Sequence, residues 1–556
     1  MHVQPGKIAI CIVALLAAST LFVHGTRAQS NQAASSAPAA APVLAPTPVP
    51  VDQLPNRCGA DVKLASAKAP AWASWGANPA NWRYQNATQA RLSVTDVPLL
   101  KLKWAFGIPN VKIVRSQPAI FRGRVYVGGN DGTVYSLDAA TGCAFWAITG
   151  KPVRSGLVIG KSGSADAAFY GDGSGGVYAL DAVSGKFLWR TQADPHPAAA
   201  ITGTPSYLDG RLYIPVSSGE EQSARSPGYD CCTFRGSVVA IDAANGKILW
   251  QTYMAAETPV PHGTTKDGHA IIGPSGMAIW SSPTLDVAKG RIYVGTGDNY
   301  SEPDTETSDA VVALDLRTGK MLWSAQFTKE KIFKIECNGE ASANCVEPTV
   351  PEFDLGASPI LVQLPRGKRV LLLGQKSGLV YAVNPDAEGK LLWHQRAGVG
   401  GLLGGVQWGP ATDGVNAYVA VSDLAFLGRG PDPSKGGGIT AYRLSDGKTI
   451  WKTPPPGCGD RRPCSPAQSQ AVSAIPGAVF SGSIDGHLRA YATHDGRIIW
   501  DFDTARSFDG VNGVTAKGGS LDVGGPVIAG GMVVVVSGYA GFGAMPGNAL
   551  LAFGRE

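Results

Sequence analysis

Charge is scarce in this chain. Asp, Glu, Lys and Arg make up 16% of its 556 residues, against roughly 25% in ordinary globular proteins. That deficit excludes a coiled coil and an acidic disordered chain, both of which are built from dense charge. With 48 Lys+Arg against 43 Asp+Glu, there is no electrostatic footprint for a nucleic acid partner. Several catalytic signatures are missing as well. No H-E-x-x-H, P-loop or G-x-S-x-G context occurs and the His residues are scattered, so zinc and nucleotide chemistry are not expected. The absence of C-x-x-C-H excludes a covalently held haem. Residues 171–176 match G-x-G-x-x-G but lie between two strand-like runs with no helix following, which makes them a hairpin loop. The apolar run at residues 8–22 is shorter than the about 20 residues of a membrane span, so no permanent span is expected.

That run follows Lys7 and precedes Thr26-Arg27-Ala28, the pattern of an export signal over residues 1–28. Residues 29–69 read as an Ala/Pro-rich linker and N-terminal segment, too poor in periodic apolar groups around 30–55 to order themselves. The export signal implies a periplasmic or secreted location, and cysteine use agrees with it. Cys337/Cys345 and Cys458/Cys464 are spaced to staple single loops, and Cys58 with Cys143 would tie the N-terminal segment to the body. Cys231 and Cys232 are adjacent, which leaves a vicinal disulfide, pairing elsewhere, or two free thiols.

Glycine is abundant, 71 of 556 residues, which argues against a helical bundle and for turn-rich β structure. From residue 100 a repeat takes over. VYSLDAATGCAFW ends at Trp146, VYALDAVSGKFLW at Trp189, VVAIDAANGKILW at Trp250 and VVALDLRTGKMLW at Trp323. Looser copies end at Trp393, Trp451 and Trp500, and LKLKW supplies Trp104 without an upstream half. Each copy is an alternating strand, a tight Gly turn and a second strand closed by Trp, with two further strand-like runs upstream. Four strands per repeat make a propeller blade. The C-terminal runs GGPVIA, MVVVVSG and NALLAFG lack a fourth strand, and LKLKWAF lacks the first three. Joining them closes an eighth blade and hides the edge strands. The expected fold is therefore all-β, an eight-bladed β-propeller over residues 70–556 whose N- and C-terminal strands share the last blade.

Naming the strands of each blade A to D from the inside outward, the B–C and D–A connections share one face. The long or unusual insertions (216–236, 252–280, 297–309, 324–356, 398–410 and 507–524) all fall in those connections, so that face is the candidate site. Glu220 and Glu221, Asp298 and Asn299, and Asp354 stand in these loops on successive blades, an oxygen-donor set suited to Ca²⁺. Arg154, Arg235 and Lys376 face the same way and suit an anionic ligand. Trp280 lies outside the Trp repeat, where its ring can stack on a planar group.

ITGTP, VSSGEE, YDCCTFRGSVVAID, GTGDNY, EFDLGASP, GQKSGLVYAV and FDGVNGVTAKGG together resemble the pyrroloquinoline quinone (PQQ) alcohol dehydrogenases, in particular the polyvinyl alcohol dehydrogenase branch, over residues 72–556. The resemblance implies an enzyme that oxidises an alcohol with PQQ and Ca²⁺ and passes electrons to a separate cytochrome c. It implies Glu220, Asn299 and Asp354 as metal ligands, with Glu221 and Asp298 as one-residue alternatives, and Asp354 as the catalytic base. Arg154, Arg235 and Lys376 would bind the cofactor as cations, and Thr202 and Ser218 by hydrogen bonds. Trp280 would stack on one quinone face and the Cys231–Cys232 pair on the other. One departure from the better-known members is that the Cys pair stands one blade later, before Arg235 rather than before Arg154. The competing reading is a non-enzymatic scaffold like the outer-membrane assembly propellers, which share the Asp…Gly…Trp repeat.

Overall fold

Eight four-stranded antiparallel sheets form an eight-bladed β-propeller in the computed structural model. It describes residues 45–555 apart from 55, 225, 227, 266–267, 329–351 and 429. The expected export signal, the start of the linker and the Cys337/Cys345 staple lie outside the described residues. Blades 1 to 7 span residues 119–149, 158–192, 206–253, 284–326, 360–396, 411–453 and 473–503, each a meander in chain order. Blade 8 takes strands A to C from 527–529, 532–537 and 549–554, and strand D from 101–107. The terminal strands pair antiparallel from Lys101↔Gly554 to Gly107↔Ala549, so the ring closes as the orphan half-repeats indicate.

The repeat records how one blade docks on the next. The Asp ending strand C folds the hairpin back: in blade 1, Asp138 Oδ1 accepts the backbone N–H of Ala140 and Thr141 at 3.1 and 2.8 Å. The turn glycine then meets the Trp of the preceding blade. Gly447, at φ 72°, has Trp393 Cδ2 only 2.7 Å from where a Cβ would stand, while Trp393 Nε1 donates to the Leu444 carbonyl at 2.8 Å. Trp146, Trp189 and Trp451 make the same bond to the following blade. Trp500 donates instead to the Leu100 carbonyl, across the closing seam. We expect Gly447→Ala to lower stability by about 1–2 kcal/mol from the left-handed backbone alone, with the displaced Trp393 adding to it, as read by thermal unfolding.

Two segments lie outside the blades. Thr47–Pro48 pairs with Thr149 and Ile148 as a fifth strand on blade 1, and the Cys58–Cys143 disulfide ties the chain down again ten residues later. Part of the segment read as linker and N-terminal segment is thus held against blade 1, because the free edge of strand D offers backbone partners that composition does not reveal. Residues 70–91 thread along the inner strands. Their backbone bonds to Ile120, Ile159, Leu285, Leu361, Ala474 and Gly530, on blades 1, 2, 4, 5, 7 and 8. At the centre, the fully buried Arg83 guanidinium donates to the carbonyls of Val472 and Trp75, to Gln117 Oε1 and to Ser473 Oγ. Burial without a carboxylate partner holds its pKa down to about 9.

Candidate active site at the central mouth

Strand direction dictates where the loops meet. A cavity opens on the face carrying the B–C and D–A connections, and the residues lining it come from those connections or the strand ends beside them. On its floor, oxygens of Asp298, Glu352 and Asp354 lie within 4.8 Å of one another, and all three residues are buried. Asp298 stands three residues after strand B of blade 4, while Glu352 and Asp354 close the long connection into blade 5. Among the described residues, neither Asp298 Oδ2 nor Asp354 Oδ1 has a hydrogen-bond partner. Burial and the neighbouring Asp354, Glu221 and Asp309 push the Asp298 pKa well above the usual carboxylate range. Asp354 is pushed up to about 6, chiefly by burial.

Lys376, from the B–C turn of blade 5, is the cation within this group. Its ammonium bonds the Glu352 carboxylate and lies 3.2 Å from Asp354 Oδ2, and burial lowers its pKa to about 8. It also stands 5.1 Å from the centre of the Trp280 ring. Trp280 is fixed by three neighbours. Its Nε1 donates to Asp354 Oδ2 at 2.8 Å, and its ring meets Trp408 edge-on with centroids 5.0 Å apart. It also lies against Gly356, where an added Cβ would overlap Trp280 Cη2. No other residue fits at 356 without moving the ring.

Arg154 projects into the same cavity from the connection between blades 1 and 2. Desolvation, then repulsion from Arg115, lowers its pKa to about 10. Asp522 receives Trp408 Nε1 at 2.8 Å and Ser469 Oγ at 2.6 Å. Thr202 and Ser218 line the wall, and Ser218 Oγ also accepts the Glu220 N–H at 2.8 Å.

Other expected site residues point elsewhere. The buried Glu220 carboxylate is spent on its own loop, accepting from Tyr229 Oη and from the N–H groups of Thr233 and Phe234 at 2.8–3.1 Å. Its neighbour Glu221 faces the cavity instead. The Asn299 amide is tied to Thr305 and Ser308, and Asp298 takes the place at the mouth. Arg235 donates to the carbonyls of Ala255, Ala256 and Glu257 and stacks over Tyr253, away from the cavity lining. Cys231 and Cys232 are joined as a vicinal disulfide, buried in a cluster with Phe234 and Tyr300. They do not line the cavity. A hairpin at Val260–Thr264 and Ala270–Gly273 explains the position, since Ile272 and the Cys pair exchange backbone hydrogen bonds. Reasoning from sequence missed Glu352, Arg115, Asp522 and Trp408. Glu352 stands two residues before Asp354, and that i, i+2 pair of acids was the one available signal.

Comparisons with known proteins give the family. The family model described as "Glucose/ethanol/alcohol dehydrogenase, beta-propeller domain" matches residues 72–397. A second, "Outer membrane protein assembly factor BamB", matches 376–507 and 435–553, where the shared blade repeat runs on. A polyvinylalcohol dehydrogenase from a Pseudomonas species is 42% identical over 503 residues, covering 87% of this chain and 76% of that one. Its counterpart from Sphingopyxis sp. (strain 113P3) is 39% identical over 517 residues, covering 91% and 76%. Among solved structures, a europium-containing methanol dehydrogenase aligns with a TM-score of 0.62 at 18% identity, covering 88% of this chain and 99% of that one, a likeness of fold. The chain belongs to the PQQ-dependent alcohol dehydrogenase family and is a quinoprotein alcohol dehydrogenase. The scaffold reading gives way to the enzyme.

Proposed function

We propose that the chain is an exported, PQQ- and Ca²⁺-dependent dehydrogenase that oxidises a secondary alcohol, polyvinyl alcohol among them, and passes the electrons to a separate cytochrome c. The observation that carries this reading is the buried carboxylate group of Asp298, Glu352 and Asp354 beside the Trp280 ring. An all-oxygen donor set with unpartnered oxygens fits a hard divalent cation. Arg154 and Lys376 would hold the carboxylates of a planar quinone, and the Trp280 ring would offer it a flat surface. When bound, the quinone supplies the two-electron acceptor and the cation polarises it.

The chain's own residues do the rest. Asp298, Glu352 and Asp354 hold the cation, and Lys376 keeps Glu352 and Asp354 in register. Trp280 Nε1 fixes Asp354 by its Oδ2, and the Asp354 carboxylate would receive the alcohol proton. Export is supported by the apolar leader and by the three disulfides among the described residues. No helix among the described residues is long and apolar enough to cross a membrane.

The test is reconstitution of purified protein with PQQ and Ca²⁺, an artificial electron acceptor and a panel of primary and secondary alcohols including polyvinyl alcohol. Turnover requiring both additions supports the reading, and turnover without them overturns it. Gly356→Ala supplies a second check. The new methyl must push the Trp280 ring aside, so PQQ affinity is expected to fall at least tenfold, as read by cofactor titration, alongside a lowered thermal midpoint from the overpacking.

A further inference from the structure

An apolar group stands in the lining of the mouth. Connections of blades 5, 6 and 8 present Leu402, Leu403, Trp408, Leu424 and Phe542, among polar side chains such as Lys376, Gln407 and Asp522. Phe542 stands at the rim, 48% exposed. Its backbone, at φ 53° and ψ 36°, lies in the left-handed region that bulky side chains avoid. Gly541 and Gly543 flank it, so a glycine at 542 would make the same turn without that strain. An aromatic ring kept exposed and strained at a cavity edge marks a ligand contact rather than a need of the fold.

The apolar surface continues outward from there. A hairpin pairing Phe426–Leu427 with Gly430–Pro431 abuts the Gly541–Gly543 turn. It carries Phe426 and Leu427 at 47% and 70% exposure. The supporting loops are held firmly. Leu424 N–H donates to the Leu403 carbonyl, and the Asp423 carboxylate accepts from the N–H groups of Val399, Gly400 and Gly405 at 2.6–2.9 Å. A fixed apolar lip thus runs from the reaction mouth to the open surface.

We propose that this lip binds the hydrocarbon backbone of an extended, hydroxylated chain next to the carbinol being oxidised, and that Phe542 sets a preference for long alcohols over short ones. The proposal rests on the dehydrogenase reading of the mouth. A short alcohol confined to the cavity never reaches Phe426 or Leu427. A chain with an unbranched carbon backbone covers them and Phe542 together, removing apolar surface from water.

The test compares holoenzyme variants on a polyvinyl alcohol fraction and on 2-butanol. Phe542→Gly, which the backbone accepts, lowers the polymer-to-butanol ratio of kcat/KM by about tenfold through the polymer's KM, whereas Phe542→Tyr retains the ratio. Binding of the polymer to the cofactor-loaded protein, by calorimetry, weakens by a similar factor in Phe542→Gly. Unchanged selectivity or unchanged polymer binding in that variant overturns the lip. Holoenzyme that oxidises neither alcohol sinks the dehydrogenase reading instead, and the calorimetry then decides the lip by itself.

Discussion

Asp354→Asn is expected to lower kcat by about 10²–10⁴-fold, the span that a positioned general base contributes. The substitution keeps shape and leaves an oxygen able to accept from Trp280 Nε1, so the ring stays in place. What disappears is an atom able to take a proton, because an amide oxygen is not basic in water. Saturating PQQ and Ca²⁺ separate this loss from weakened loading. Under those conditions, single-turnover reduction of bound quinone by alcohol is slow in the variant, while the quantity of bound cofactor matches the parent. Equal single-turnover rates would remove Asp354 from the role of base and leave it a ligand only.

The second large effect belongs to the metal-free protein. Asp298, Glu352 and Asp354 crowd their charges in a buried place where Lys376 offsets only part of the repulsion. Adding Ca²⁺ at about 100 times its Kd should therefore stabilise the parent protein by about 2.7 kcal/mol. Asp298→Asn removes one ionisable ligand from the group, and with it the cost of ionising that buried carboxyl. The variant without metal is expected to unfold at the same or a higher temperature than the parent, while its gain from Ca²⁺ nearly vanishes. Thermal scans with Ca²⁺ and with chelator read both quantities. A full Ca²⁺ gain in Asp298→Asn would place the cation elsewhere.

The ring was readable from sequence because inter-blade docking is periodic. Each Trp needs a Gly one blade onward, so the pair repeats with the blade and counts it. The face of the site was readable too, since strand alternation alone assigns the loops. Side-chain direction within the loops was not. Glu220 and Glu221 leave strand B of blade 3 through the short helical turn Glu220–Ser223, which sends the first inward and the second to the mouth. Asn299 starts a short strand pairing Asn299–Ser301 with Ser275–Gly276, and that pairing gives the mouth to Asp298. A one-residue choice reverses the face, and nothing in SGEE or GTGDN settles it. The Cys pair was misplaced for a related reason. Its partner is a hairpin inserted forty residues onward, and no local pattern ties Cys231 to Ile271. Arg115 and Asp522 sit in unremarkable loops and acquire meaning only when the ring brings them beside Arg154 and Trp408.

The thread of residues 70–91 through the inner strands has a kinetic corollary. Trp75 stands under the small void beneath Trp280 and Arg154, so the hub is stoppered from behind. Among the described residues, alcohol and its carbonyl product then use the same mouth, one after the other.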